Sequence, residues 1–123
     1  MLSGGNASVY VTDMDRAVKF YVDSLGLRLK LRIANEWAEI DAGEGLVIGL
    51  HPAQPSGVAA GVPGAINIEL KTTAPLEDVL TTLEKRGVPL DGEIHNYENV
   101  RLVTVRDPDG NAILLAQILH TGA

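Results

Sequence analysis

The sequence predicts an α+β fold made of two βαβββ modules, and three observations carry that prediction. A pattern of one strand, one helix and three further strands occurs twice within 123 residues. A stretch rich in Pro, Gly, Ala and Ser, from Pro52 to Pro63, separates the two copies. A hairpin-turn sequence, Asp107-Pro108-Asp109-Gly110-Asn111, stands just before the last strand. Two units of roughly fifty residues that repeat one order of elements mark an internal duplication. The reading is a single domain over 1–123, with module one at about 6–51, a connector at about 52–63 and module two at about 64–119.

The first strand is Ala7 to Val11, where Ala7, Val9 and Val11 alternate with polar residues. Asp13 is a good N-cap for a helix from about Met14 to Leu25, with Ala17, Val18, Tyr21 and Leu25 as its apolar stripe and Gly26 after its end. Strands are expected at Leu27 to Ile33, Trp37 to Ala42 and Leu46 to His51. The pattern restarts at Ala65, with Ile66, Ile68 and Leu70 on one face. Pro75 suits the first turn of a second helix whose stripe is Leu76, Val79, Leu80 and Leu83, with Gly87 ending it. Strands near Glu93 to Tyr97, Arg101 to Arg106 and Ala112 to Leu119 complete the unit. Each helix would cover one face of its sheet, and the two free faces would enclose a concave site. A ferredoxin-like βαββαβ domain is the main rival, but it lacks the extra strand in each half.

Composition narrows the function classes. Hydrophobic residues at 46% and charged residues at 21% describe a globular chain rather than a disordered one. Without cysteine there is no disulfide, thiolate ligand or thiol nucleophile. Sixteen acidic residues against ten basic ones give a formal charge of −6, which opposes nucleic-acid binding and suits a cationic ligand. The apolar runs are too short and interrupted to span a membrane, and the start lacks the pattern of a secretory leader, so a cytoplasmic protein is expected. No glycine-rich phosphate loop lies between a strand and a helix, and no serine sits in a nucleophile elbow.

Two motifs resemble a known family. Val11-Thr12-Asp13-Met14-Asp15-Arg16-Ala17-Val18-Lys19-Phe20-Tyr21, followed by Leu25-Gly26-Leu27, is similar to the opening of vicinal-oxygen-chelate proteins of the glyoxalase/bleomycin-resistance/dioxygenase type. The Asp107 to Asn111 turn with its final strand is similar to their closing signature, and the resemblance runs from about Asn6 to Leu119. It implies an eight-stranded bowl with one helix packed on each half. It also implies a divalent metal held by one His, Glu or Gln from each of four strands. Those four positions fall here on Asn6, Gly49, Ala65 and Leu114, of which only Asn6 has a donor atom. The expectation is therefore no metal and no other cofactor.

Strand parity places Tyr10, Trp37, Glu39, Asp41, His51, Asn67 and Glu69 on the concave side. His51 and Glu69 are the candidate acid/base groups, because imidazole titrates near neutrality and a desolvated carboxylate can be raised toward it. The plainer alternative is that His51 ends its strand before Pro52 and bonds a backbone carbonyl. Tyr10, Trp37, Glu39, Asn67, His95, Tyr97 and Arg101 are the candidate ligand-binding residues. Trp37 would be either a stacking platform or interface packing, and Arg101 either a carboxylate partner or a surface charge. Three functions follow. The first is a metal-independent binder of a small aromatic or cationic molecule. The second is a lyase, isomerase or dioxygenase of the same fold acting on a small carbonyl-type substrate, through an atypical metal site or through His51 and Glu69. The third is an interaction module with a filled bowl. The resemblance also implies a homodimer, and the Pro52 to Pro63 connector is long enough to exchange modules between chains.

Overall fold

A computed structural model of the chain describes residues 1, 3–54, 59–62 and 66–119. Among these are two four-stranded mixed sheets, each with one helix on a face. The first contains β1 (Ala7–Val11), β2 (Arg28–Ile33), β3 (Trp37–Gly43) and β4 (Leu46–Pro52) in the order β1-β4-β3-β2. The second contains β5 (Asn67–Lys71), β6 (Leu90–Asn96), β7 (Val100–Arg106) and β8 (Ala112–Ile118) in the matching order β5-β8-β7-β6. In each, the strand before the helix runs parallel to the last strand, and the remaining pairs are antiparallel. The α+β architecture and its duplication are as the sequence predicts. The extra strand in each half separates it from the ferredoxin-like rival.

Alternation decides which face each strand buries. Val9, Val11, Ala38, Ile40, Ile48 and Leu50 of the first sheet lie in the core. Ile68, Val103, Val105, Ile113 and Leu115 do the same in the second. Helix α1 (Met14–Lys19) begins at Asp13, whose side chain accepts from Arg16 N at 3.0 Å, and buries Met14 and Ala17. Helix α2 (Leu76–Lys85) buries Leu76 and Leu83. Burying such a side chain stabilises by about 1.5–3 kcal/mol, whereas a surface ion pair contributes a few tenths. The apolar stripe, not the charges around it, therefore sets where α2 lies.

Several elements differ from expectation. The first helix is not regular to Leu25: after Lys19 it widens into a π turn over Phe20–Ser24, with Leu25 N donating to Phe20 O. Phe20 and Tyr21 are both buried within this turn. Pro75 sits before α2 at the cap position, not in its first turn, and offers no capping side chain. The cap comes from another element: Gln117 Oε1 on β8 accepts from Leu76 N at 3.0 Å. Strand β6 starts at Leu90, three residues before Glu93, and stops before Tyr97.

The Asp107 to Asn111 turn does more than reverse the chain. Asp107 accepts from Tyr21 Oη at 2.9 Å, Asp109 accepts from Thr12 N and Oγ1, and Asn111 Nδ2 donates to Tyr10 O. The two motifs that resemble the family's opening and closing signatures are thus bound to each other. The connector docks on the same turn. Gly61 has φ +70°, and a Cβ there would lie 1.6 Å from Asp109 O, so only glycine fits. No helix among the described residues is long and apolar enough to cross a membrane.

Candidate functional site

The concave face of the first sheet gathers four of the predicted side chains. Tyr10 and His51 are register partners on parallel β1 and β4, and their rings meet edge-on with centroids 5.2 Å apart. Trp37 on β3 approaches the same imidazole, at 6.2 Å between centroids. Its indole Nε1 donates to Glu39 Oε2 at 2.9 Å, two residues along the same strand and on the same face. The result is an aromatic shelf of Tyr10, His51 and Trp37 with a carboxylate at its edge.

Trp37 lies across Gly49. A Cβ at Gly49 would be 2.4 Å from Trp37 Cη2, 2.8 Å from Ser8 Oγ and 2.9 Å from Asn6 Oδ1. The absence of a side chain at Gly49 is therefore what lets the indole reach the sheet at this point. Asn6 has its Oδ1 engaged by Ser8 Oγ at 2.9 Å.

His51 Nδ1 lies 2.9 Å from Pro52 O. A carbonyl only accepts, so Nδ1 carries the proton, and in the neutral ring Nε2 holds the lone pair. The backbone-carbonyl contact of the plainer expectation is present, and it also fixes the tautomer. Asp41, on the same side of β3, accepts from Gly43 N at 2.8 Å and from Arg28 Nη2 at 2.9 Å. The Gly43 amide, then the Arg28 guanidinium, hold its carboxyl below the usual range.

The other candidates are elsewhere. Asn67 and Glu69 lie exposed on β5 of the second sheet, in register with Ala112 and Leu114 of β8. His95 on β6 pairs with Leu102 and is exposed. Tyr97 follows β6 in the turn to β7, where its N–H donates to Val100 O. Among the described residues no hydrogen bond or ion pair joins His51 to Glu69. Arg101, read as either a carboxylate partner or a surface charge, shares the face of Val103 and Val105 toward α2. It is held there by Glu77 Oε1 at 2.6 Å, Asn96 Oδ1 at 2.8 Å and Gln117 Oε1 at 3.2 Å. The alternation that buries those two valines carries it to the helix side, and Glu77 in the first turn of α2 fixes it. The hydrogen bond from Arg101 lowers the Glu77 pKa, and the same bond raises that of Arg101.

The sequence model of the Glyoxalase/Bleomycin resistance protein/Dioxygenase superfamily matches residues 5–115, nearly the whole of the two modules. The chain belongs to this superfamily. Solved superfamily structures share its fold over almost their full length. TnmS3, an antibiotic binding protein from Streptomyces sp. CB03234, is 28% identical with a TM-score of 0.74, over 96% of this chain and 97% of that one. A glyoxalase/bleomycin resistance protein from the same Streptomyces is 29% identical with a TM-score of 0.72, over 94% and 100%. The lactoylglutathione lyase of Agrobacterium tumefaciens, at 21% identity and a TM-score of 0.74, covers 95% and 94% and shows the fold alone. No functionally curated protein shows a significant match to the chain.

The superfamily's metal chemistry can be tested against the residues present. Gly49 has no side chain, Leu114 has only carbon, and Asn6 is neutral and already bonded. Ala65 lies outside the described residues. Among the described residues no three His, Asp or Glu side chains converge as a metal site would require. This donor set does not fit a divalent ion.

Proposed function

We propose that this chain is a metal-independent small-molecule-binding protein of its superfamily, holding an aromatic or cationic molecule on the concave face. The observation that carries the reading is Trp37 seated on Gly49 with its Nε1–H on Glu39. Where the family pattern has a metal ligand, this chain has an indole face. A flat aromatic ring or an organic cation gains from such a face, by about 0.5–1 kcal/mol when exposed and about 2 when desolvated. Glu39 beside the ring and the formal charge of −6 favour a cation. An antibiotic-binding relative at 28% identity supports the same reading.

Trp37 is the single tryptophan, so its fluorescence reports directly on the site. Titration with aromatic quaternary-ammonium compounds and their neutral analogues should quench or shift the emission. The effect should be stronger for the cations, weaken with salt, and be unchanged by chelator or added zinc. Silence across both series would sink the proposal, as would binding that requires a stoichiometric divalent ion.

A second reading is a metal-free lyase or isomerase acting on a carbonyl-type substrate. The tautomer favours it, since His51 Nε2 is left as a base at an exposed edge of the shelf. Loss of turnover in His51→Gln with binding retained would support it. Glu69, on the other sheet, would join only across the bowl or from a second chain.

A further inference from the structure

A second cleft lies where the two modules meet, off the concave shelf. Its volume is about 170 Å³, and its walls include Val9 of β1, Ile66 just before β5, and Ala59 and Val62 of the connector. An apolar cavity of about 150 Å³ is large enough to hold one benzene ring. This cleft is therefore the size of a single ring and well below the range of about 300–1,000 Å³ typical of drug-sized ligands.

The polar groups around it are Ser8, Tyr10 and Asn111, and none of the described residues lining it carries a charge. Most of their hydrogens are already engaged. Ser8 Oγ donates to Asn6 Oδ1. Asn111 Nδ2 donates one hydrogen to Tyr10 O at 3.1 Å and the other to Asp107 Oδ2 at 2.8 Å. What remains is the side-chain Oδ1 of Asn111 and the lone pairs of Ser8, both acceptors, beside the Tyr10 hydroxyl, which can act either way. An uncharged lining with surplus acceptors disfavours ions and selects a neutral molecule that donates.

We propose that this junction cleft binds a neutral, single-ring molecule or substituent bearing one O–H or N–H donor, of the phenol type. It differs in chemistry from the Trp37–Glu39 shelf, which suits a cation, and it stands or falls independently. Tyr10 belongs to both: its ring touches His51 on the shelf and it lines the cleft. One ligand could therefore reach from the shelf into the cleft.

The test uses the intact chain with methyl resonances of Val62 and Ile66 as reporters and phenol, anisole and phenyltrimethylammonium as probes. Phenol should move both reporters and bind about fivefold more tightly than anisole, which keeps the ring and loses the donor. Phenyltrimethylammonium should leave them in place. Ala59→Phe, at an exposed connector position, should fill the cleft and abolish the phenol shifts while the melting temperature holds. Equal affinity for phenol and anisole, unmoved reporters, or shifts that persist in Ala59→Phe would each overturn the proposal.

Discussion

The Tyr21 hydroxyl donates to Asp107 Oδ2 across 2.9 Å in the protein interior, joining the first module's helix to the second module's closing turn. Tyr21 is fully buried and Asp107 is 4% exposed. A carboxylate so placed is tolerated only when its oxygens are filled. Oδ1 accepts from the backbone N–H groups of Asp109 and Asn111, and Oδ2 from Tyr21 and Asn111 Nδ2. Tyr21 lies in the π turn over Phe20–Ser24.

Tyr21→Phe should lower the unfolding free energy by about 1.5–3 kcal/mol, the usual worth of a hydrogen bond to a charged group. Urea denaturation with an unchanged slope would measure it. A loss below about 0.5 kcal/mol would mean that Asp107 finds another donor.

The same contact predicts alkaline sensitivity. Burial, then the charge of Asp107, push the Tyr21 pKa far above its ordinary value. The native chain thus keeps a proton that the unfolded chain releases above about pH 10. Its contribution is whole below that pH. Above it, stability should fall by about 1.4 kcal/mol per pH unit. Tyr21→Phe should remove this part of the slope, which denaturation curves across the alkaline range would reveal.

Gly49→Ala should displace the Trp37 ring, since its Cβ would meet Cη2 at 2.4 Å. The expected outcomes are a cost of about 1–3 kcal/mol from overpacking, a red-shifted tryptophan emission and weaker binding of aromatic cations. A double-mutant cycle with Trp37→Ala should show strong coupling. Additive effects would mean that the ring does not depend on the bare glycine.

Arg101→Gln should lower the melting temperature and leave cation binding at Trp37 unchanged, because its partners are on the α2 side. Gln117→Ala should cost about 1 kcal/mol, comparable to losing a helix cap, because it orphans Leu76 N. Weaker ligand binding in Arg101→Gln would return that residue to the site.

The duplicated strand and helix pattern was legible because alternation and helical spacing are local. Parity alone also placed Trp37 and Glu39 on the concave face and Ala38 and Ile40 in the core. Parity left Arg101 undecided, since the sign of a face on β7 depends on which neighbours α2 covers, and the decisive partner, Glu77, is 24 positions away in sequence. The cap from Gln117 and the bonds of Asp107 and Asp109 were invisible for the same reason. A turn sequence announces its hairpin, but not the distant helix it will hold. The π turn was missed because no simple spacing rule distinguishes it from α-helix within one turn.

The clasp also orders events in the life of the chain. Tyr21 and Thr12 leave the ribosome early, yet their acceptors lie 86 and 97 residues later. The first module therefore acquires these bonds only after the second module's closing turn has been made. A nascent chain halted before Asp107 would carry the Tyr21 hydroxyl without that acceptor. The superfamily's opening and closing motifs thus act as a check on the second module, satisfied only once translation has passed its closing turn.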